Sequence, residues 1–160
     1  MMAKSHLTLG LASGATLSLA APPEQIPFII IAASIGSLFP DIDTTESTMG
    51  RAFIFLSFVL SSIFTHRGFT HSILFTAMLS GFGYFLYVNY FPAYFWVISA
   101  FVIGHISHIF GDLLTGGVYL FAPWDKRITI FSIRTNSFGE IVVAIFSSVL
   151  IALPFALHFA

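Results

Sequence analysis

Residues 93–113 read AYFWVISAFVIGHISHIFGDL, and this stretch decides the fold. It is long enough to cross a hydrocarbon core of about 30 Å, which takes roughly 20 helical residues. Its one formal charge, Asp112, sits next to its end in the company of His105 and His108. Spacings of three and four put all three side chains on one helix face. Ionisable groups on so apolar a helix are costly and mark function by default. Two imidazoles and a carboxylate at that spacing can present nitrogen and oxygen to one or two metal ions.

The rest of the chain has the same character. Of its 160 residues 57% are hydrophobic, 17% aromatic and 8% charged, whereas soluble domains carry about 25% charged residues. Mean hydropathy is +0.94, and 20 phenylalanines face only six basic and seven acidic side chains. This composition predicts an all-α, polytopic membrane protein and excludes a water-soluble globule or a disordered tail. A net charge of −1 offers no basic patch for nucleic acid. Without cysteine there is no disulfide framework and no thiolate site, so any metal must be held by His, carboxylate or carbonyl groups. No linker or composition shift divides residues 1–160, which read as one membrane-embedded domain.

Two further stretches are long enough to span, Phe69 to Tyr90 and Phe138 to Ala160. The first is joined to residues 93–113 by a tight turn at Asn89-Tyr90-Phe91-Pro92, forming a helical hairpin. Two shorter apolar runs, His6 to Ala21 and Ile26 to Phe39, flank Pro22-Pro23-Glu24 and form a second hairpin. Lys4 followed by a mildly apolar run resembles a secretory signal, but Gly10, Ser13, Gly14 and Thr16 interrupt it. Those residues suit a packed helix instead: His6, Gly10, Gly14 and Ser18 recur every four positions and let a neighbour approach. Ala32 and Gly36 offer a similar face on the second helix.

Polar residues gather where these segments end. His6 opens the first helix, and Asp41 and Asp43 follow the second in FPDID, residues 39–43. His66, Arg67 and His71 lie in HRGFTHS, residues 66–72, at the entrance to a span whose partner ends in His105, His108 and Asp112. The hairpin puts these last two groups on one side of the membrane. For His6, Asp41 and Asp43 to join them, Ala52 to Thr65 must return to the side it left. At 1.5 Å per residue its 14 residues cover about 21 Å, so it is expected to be re-entrant or interfacial. That arrangement also places Lys4, Arg51, Arg67, Lys126, Arg127 and Arg134 together, as the positive-inside rule prefers. The polar cluster is then cytoplasmic and the C-terminus outside. Thr70 is a candidate cap for the helix starting near His71, and Glu140 compensates the dipole of the last helix. The loop from Thr115 to Ser137 suits a headgroup-level anchor or a lid, with a strand-like alternation at Ile128-Thr129-Ile130.

These blocks together resemble the YdjM-type family of LexA-regulated inner-membrane metal-dependent hydrolases. The likeness rests on the N-terminal His, on FPDID at 39–43, on HRGFTHS at 66–72 and on GHISHIFGDLLT at 104–115, with APW at 122–124. The family is more distantly similar to the zinc phospholipase C and P1-nuclease group, whose helix-borne His-x-x-x-Asp spacing is matched by His108 and Asp112. A second downstream His-x-x-x-Glu pair is lacking, which leaves the metal count at one or two.

The expectation is therefore a membrane-bound zinc hydrolase, with manganese or iron as alternatives, acting on a phosphoester of a lipid or amphiphile. His6, Asp41, Asp43, His66, His71, His105, His108 and Asp112 are the candidate ligands. Asp43 is a candidate general base and Arg67 a candidate phosphate contact. A metal carrier and a scaffold with a structural metal are the alternatives. A carrier would place ionisable groups at several depths, whereas here they collect at one end.

Overall fold

The computed structural model describes residues 1–124 and 126–158, with side chains through residue 153. Among the described residues the regular elements are helices: α1 (Ala3–Ser18), α2 (Ile26–Gly36), α3 (Thr48–Ala52), α4 (Ile54–Ile63), α5 (Ile73–Asn89), α6 (Phe95–Leu114) and α7 (Phe138–His158). Short 3-10 turns at Pro23–Gln25, Phe39–Asp43, Phe69–His71 and Pro92–Tyr94 join or extend them. The alternation at 128–130 yields only one antiparallel bridge, Val118 to Ile128. The tail of the expected last span, residues 159–160, and the side chain of His158 lie outside the described residues.

Burial is inverted relative to a soluble protein. The fully buried set is dominated by His6, Asp43, Thr70, His71, His105, His108, Asp112, Thr115 and Glu140. Large apolar side chains such as Phe28, Ile31, Phe55, Phe82, Phe85, Phe146 and Val149 point outward. Exposed apolar surface on this scale needs a nonaqueous neighbour. Pro23–Asp43 and Pro92–Leu114 are long and apolar enough to cross a membrane.

The expected hairpins, α1–α2 and α5–α6, both form, and α1 also packs on α6 and α7 while α2 packs on α6. Close approach at this junction depends on glycine. A Cβ on Gly104 would collide with the Ala33 carbonyl, and one on Gly36 with the Phe101 carbonyl. A Cβ on Gly10 would strike Ser37, and one on Gly14 would press on Ile30. The four-residue stripe on α1 thus does what its spacing implies, while on α2 the buried contact is Ala33 rather than Ala32.

Two boundaries differ from the sequence expectation. The helix expected from Phe69 starts at Ile73, because Phe69–His71 wind into a 3-10 turn. Ser72, not Thr70, caps it, accepting from the Phe75 N–H at 3.1 Å, since the Thr70 hydroxyl is drawn to Asp43. The stretch 52–65 becomes α4, whose 10 residues cover about 15 Å, half of a hydrocarbon core. Its outer face is strongly apolar, with Phe55 and Phe58 exposed, and its inner side rests on the 39–43 turn.

Glu140 does more than offset a dipole. It is buried, and accepts from Met2 N at 2.6 Å, Ser5 Oγ at 2.7 Å and Asn136 N at 2.6 Å. One carboxylate thereby ties the start of α1 to the start of α7.

Candidate metal centre

The site forms where the 3-10 turn after α2, the loop before α5, the last turns of α6 and the first turn of α1 converge. Each element has a local reason to be there. The 65–71 loop is wrapped around Asp43. One carboxylate oxygen faces His66 Nδ1 at 2.8 Å; the other accepts from Arg67 N at 3.0 Å and from the Thr70 hydroxyl at 2.8 Å. Arg67 adopts a left-handed backbone, φ 64°, which sends its guanidinium toward Asp112. Its Nη2 and Nε lie 3.2 and 3.1 Å from the two Asp112 oxygens. Gly116 leaves the room for it, since a Cβ there would occupy the guanidinium's position.

Two imidazoles meet at the centre, with His71 Nε2 3.1 Å from His108 Nε2. The opposite ring nitrogens are already committed. His108 Nδ1 lies 2.7 Å from the Ser37 carbonyl oxygen, which can only accept, so that nitrogen carries a proton. The Thr70 hydroxyl gives its own proton to Asp43, so at 3.0 Å it accepts from His71 Nδ1. Burial holds the His71 imidazole below its ordinary value, against the pull of the nearby Asp43 carboxylate, which favours the neutral ring. His71 Nε2 is then a bare lone pair, and the gap to His108 has room for one proton or one cation. Metal-binding histidines typically donate their other N–H to a carbonyl or carboxylate in this way.

Two carboxylates complete the group. Asp41 Oδ1 is 3.5 Å from His108 Nε2 and 3.8 Å from His71 Nε2, and Asp112 Oδ2 is 3.7 Å from each. A tetrahedral ion with bonds of about 2.0–2.2 Å sets its ligands roughly 3.3–3.6 Å apart. The observed separations bracket that value, so either carboxylate together with the two imidazoles fits such an ion with sub-ångström adjustment.

Three overlapping groups could hold a cation: His6, His108 and Asp112; Asp41, His71 and His108; and Asp41, Asp43 and His66. Seven of the eight expected ligands fall in them. His6 stacks on His108 with ring centroids 3.5 Å apart, and neither of its nitrogens has a hydrogen-bond partner. Its Nε2 lies 3.4 Å from Asp112 Oδ1, on which the Met1 amine also sits. A single imidazole nitrogen serves one ion, so His108 commits to one group, whereas the two oxygens of Asp41 can serve two. His105 is the residue left out of these groups. Its Nε2 lies 3.2 Å from Thr76 Oγ1, and its ring packs among Phe39 and Phe75. It shares a face with Asp112 but stands about 10 Å back along the axis.

The geometry also separates roles that sequence could not. Both oxygens of Asp43 are engaged by the loop, which makes it a positioner of His66, Arg67 and His71. Arg67 is paired with Asp112, to which only its Nη2 donates, leaving other N–H groups for another partner. His66 is the open member, with its side chain 46% exposed. Nothing in the sequence singles out Thr70 or the Ser37 carbonyl as orienters. Thr70 stood next to a candidate ligand in sequence, but a backbone carbonyl carries no sequence signal. Replacing Thr70 with Val is expected to lower metal affinity about 10–100-fold, the usual cost of losing an outer partner, as measured by competition with a chromogenic chelator.

A helical bundle with apolar outer faces and a buried His/Asp cluster at one end defines a membrane protein with a candidate metal centre. The chain belongs to the YdjM inner membrane protein family, whose model matches residues 1–159. It is 36% identical over 147 residues to uncharacterized protein YvsG of Bacillus subtilis, covering 89% of this chain and 87% of that one. Inner membrane protein YdjM of Escherichia coli is 35% identical over 112 residues, 64% of this chain and 54% of that protein, and the Shigella flexneri YdjM matches equally. No solved structure matches the chain.

Proposed function

We propose that the chain is a membrane-embedded, metal-dependent hydrolase acting on a phosphoester of a lipid or amphiphile. The observation that carries this reading is the pair of imidazole Nε2 atoms 3.1 Å apart, each oriented from behind, with Asp41 and Asp112 alongside. His71, His108, Asp41 and Asp112 would hold one ion, and His6 is the added donor for a second. Zinc suits a nitrogen- and carboxylate-rich site without sulfur; manganese and iron accept the same ligands. A bound dication there supplies a Lewis acid for a phosphoryl oxygen and activates water for attack.

The residues around it divide the remaining tasks. Arg67 binds and orients an anionic group through its uncommitted N–H donors. His66, held on Asp43 and open to solvent, is placed to pass a proton at its Nε2. Asp43 fixes the loop that carries both. The length of α4 and the six cations of the chain support a cytoplasmic site with the C-terminus outside.

A structural metal without chemistry is the reading favoured by one observation, the complete burial of His6, His71, His108 and Asp112. Access through Asp41, 17% exposed, and His66 supports the enzyme instead. Detergent-purified, zinc-loaded protein offered phosphatidate and lysophosphatidate should release inorganic phosphate, with His66→Gln at least tenfold slower at unchanged metal content. Turnover equal to chelator-treated protein across lipid phosphomonoesters and diesters would reject the hydrolase.

A further inference from the structure

Beside the polar cluster lies a cleft of about 400 Å³, bounded by the end of α4, the 64–69 loop, the first turn of α5 and residues 119–124. That volume falls within the range of ligand pockets, roughly 300–1,000 Å³. Its walls are apolar: Phe64 and Phe69, stacked with centroids 4.7 Å apart, face Leu74, Ala122, Pro123 and Trp124. The two sides are tied together through the backbone. Tyr119 N donates to the Arg67 carbonyl at 3.0 Å, and Ile73 N donates to the Leu120 carbonyl at 2.9 Å. The cleft is therefore a built feature of two joined loops.

Its ends differ in chemistry. Thr65 and Gly68 line one end, and the turn they close, through Gly68 N to Thr65 O at 2.8 Å, is the one that projects His66 and Arg67 into the site. Lys126 and Arg127, both exposed, follow the opposite wall closely in the chain. Trp124, 72% exposed at the rim, suits headgroup level, and Ile63 at the end of α4 adds to the apolar lining. An apolar slot with one end at the turn that carries Arg67 complements one molecular shape, an apolar tail carrying an anionic head.

We infer that this cleft binds one acyl chain of a phosphorylated membrane lipid and delivers its head group to Arg67 and His66. The inference rests on the proposed hydrolase for the fate of the head group, but binding of the chain stands without it. It gives the 119–124 loop a purpose beyond anchoring, as one wall of the substrate slot. Specificity for the chain then resides in residues remote from the metal ligands.

Of the chain's two tryptophans, Trp96 lies on α6 among Ile29, Ala33 and Ala100. A Trp96→Phe protein therefore reports from Trp124 alone. Treated with chelator so that turnover cannot consume the probe, it is titrated in detergent with lysophosphatidate bearing a brominated chain. The expected result is saturable quenching that unbrominated lysophosphatidate reverses. Binding should be at least tenfold weaker for the brominated monoacylglycerol, and at least tenfold weaker after Ala122→Phe or Leu74→Phe. Metal uptake and thermal stability of both variants should be unchanged, which separates a filled cleft from a misfolded chain. Quenching that rises linearly and identically in the filled variants would mean bulk partitioning and overturn the proposal, as would equal binding of the uncharged lipid. Saturable binding without any later hydrolysis on metal repletion would defeat the hydrolase and leave the cleft assignment intact.

Discussion

Replacing Gly104 with Val is expected to abolish accumulation of folded protein. The new side chain would enter the Ala33 carbonyl, and a backbone group inside a helix cannot rotate away as a side chain can. Overpacking in a close-packed core costs about 1–3 kcal/mol when side chains can adjust, so a clash with backbone should exceed that range. Gly81 provides the control, because a Cβ there meets nothing within 4 Å. Thermal unfolding followed by size-exclusion fluorescence in detergent compares the two. A Gly104→Val protein as stable as Gly81→Val would show that α2 and α6 do not touch as described. Because Ser37 follows α2 and His108 lies one turn beyond Gly104, this contact also sets the 2.7 Å bond that orients His108.

Asp112→Asn is expected to cost at least 100-fold in metal affinity, beyond the 10–100-fold typical of outer partners. One Asp112 oxygen faces both central imidazoles and the other faces His6. The amide keeps the shape and removes the charge that balances Arg67. Its guanidinium, only 14% exposed, is left beside two imidazoles with no carboxylate of its own, an arrangement that opposes any added cation. Competition with a zinc chelator reads the loss. An unchanged affinity would place the metal at Asp41, Asp43 and His66 instead.

Much of this site is legible in the sequence because the physics there is coarse. Charge on an apolar helix is rare, so His108 and Asp112 stand out, and their spacing assigns a face. The connection of α5 to α6 then brings His71 to them, and the short reach of α4 brings Asp41 and Asp43. What sequence cannot resolve is which neighbour each polar atom chooses. Thr70 is as good a cap as it is a relay, and only the approach of Asp43 selects the relay and passes the cap to Ser72. His105 shares the periodicity of its neighbours, yet one and a half to two turns of helix rise decide that it packs against aromatic rings. Arg67 reads as a free cation until a left-handed backbone turns it toward Asp112. The spans are harder to read than the bundle, since Pro23–Asp43 is long and apolar enough to cross a membrane only when the 3-10 turns at both ends are counted with α2.

The central claim is that His71 and His108 share a metal ion. X-ray absorption at the zinc edge, on detergent-purified protein with its metal content measured in parallel, tests it most directly. The predicted result is one or two zinc ions per chain in a shell of imidazole nitrogen and carboxylate oxygen at about 2.0–2.1 Å. The imidazole signal should be lost with the metal in His71→Ala/His108→Ala. A protein that takes up no zinc, manganese or iron after repletion, or whose metal shell is the same in that variant, would contradict the account.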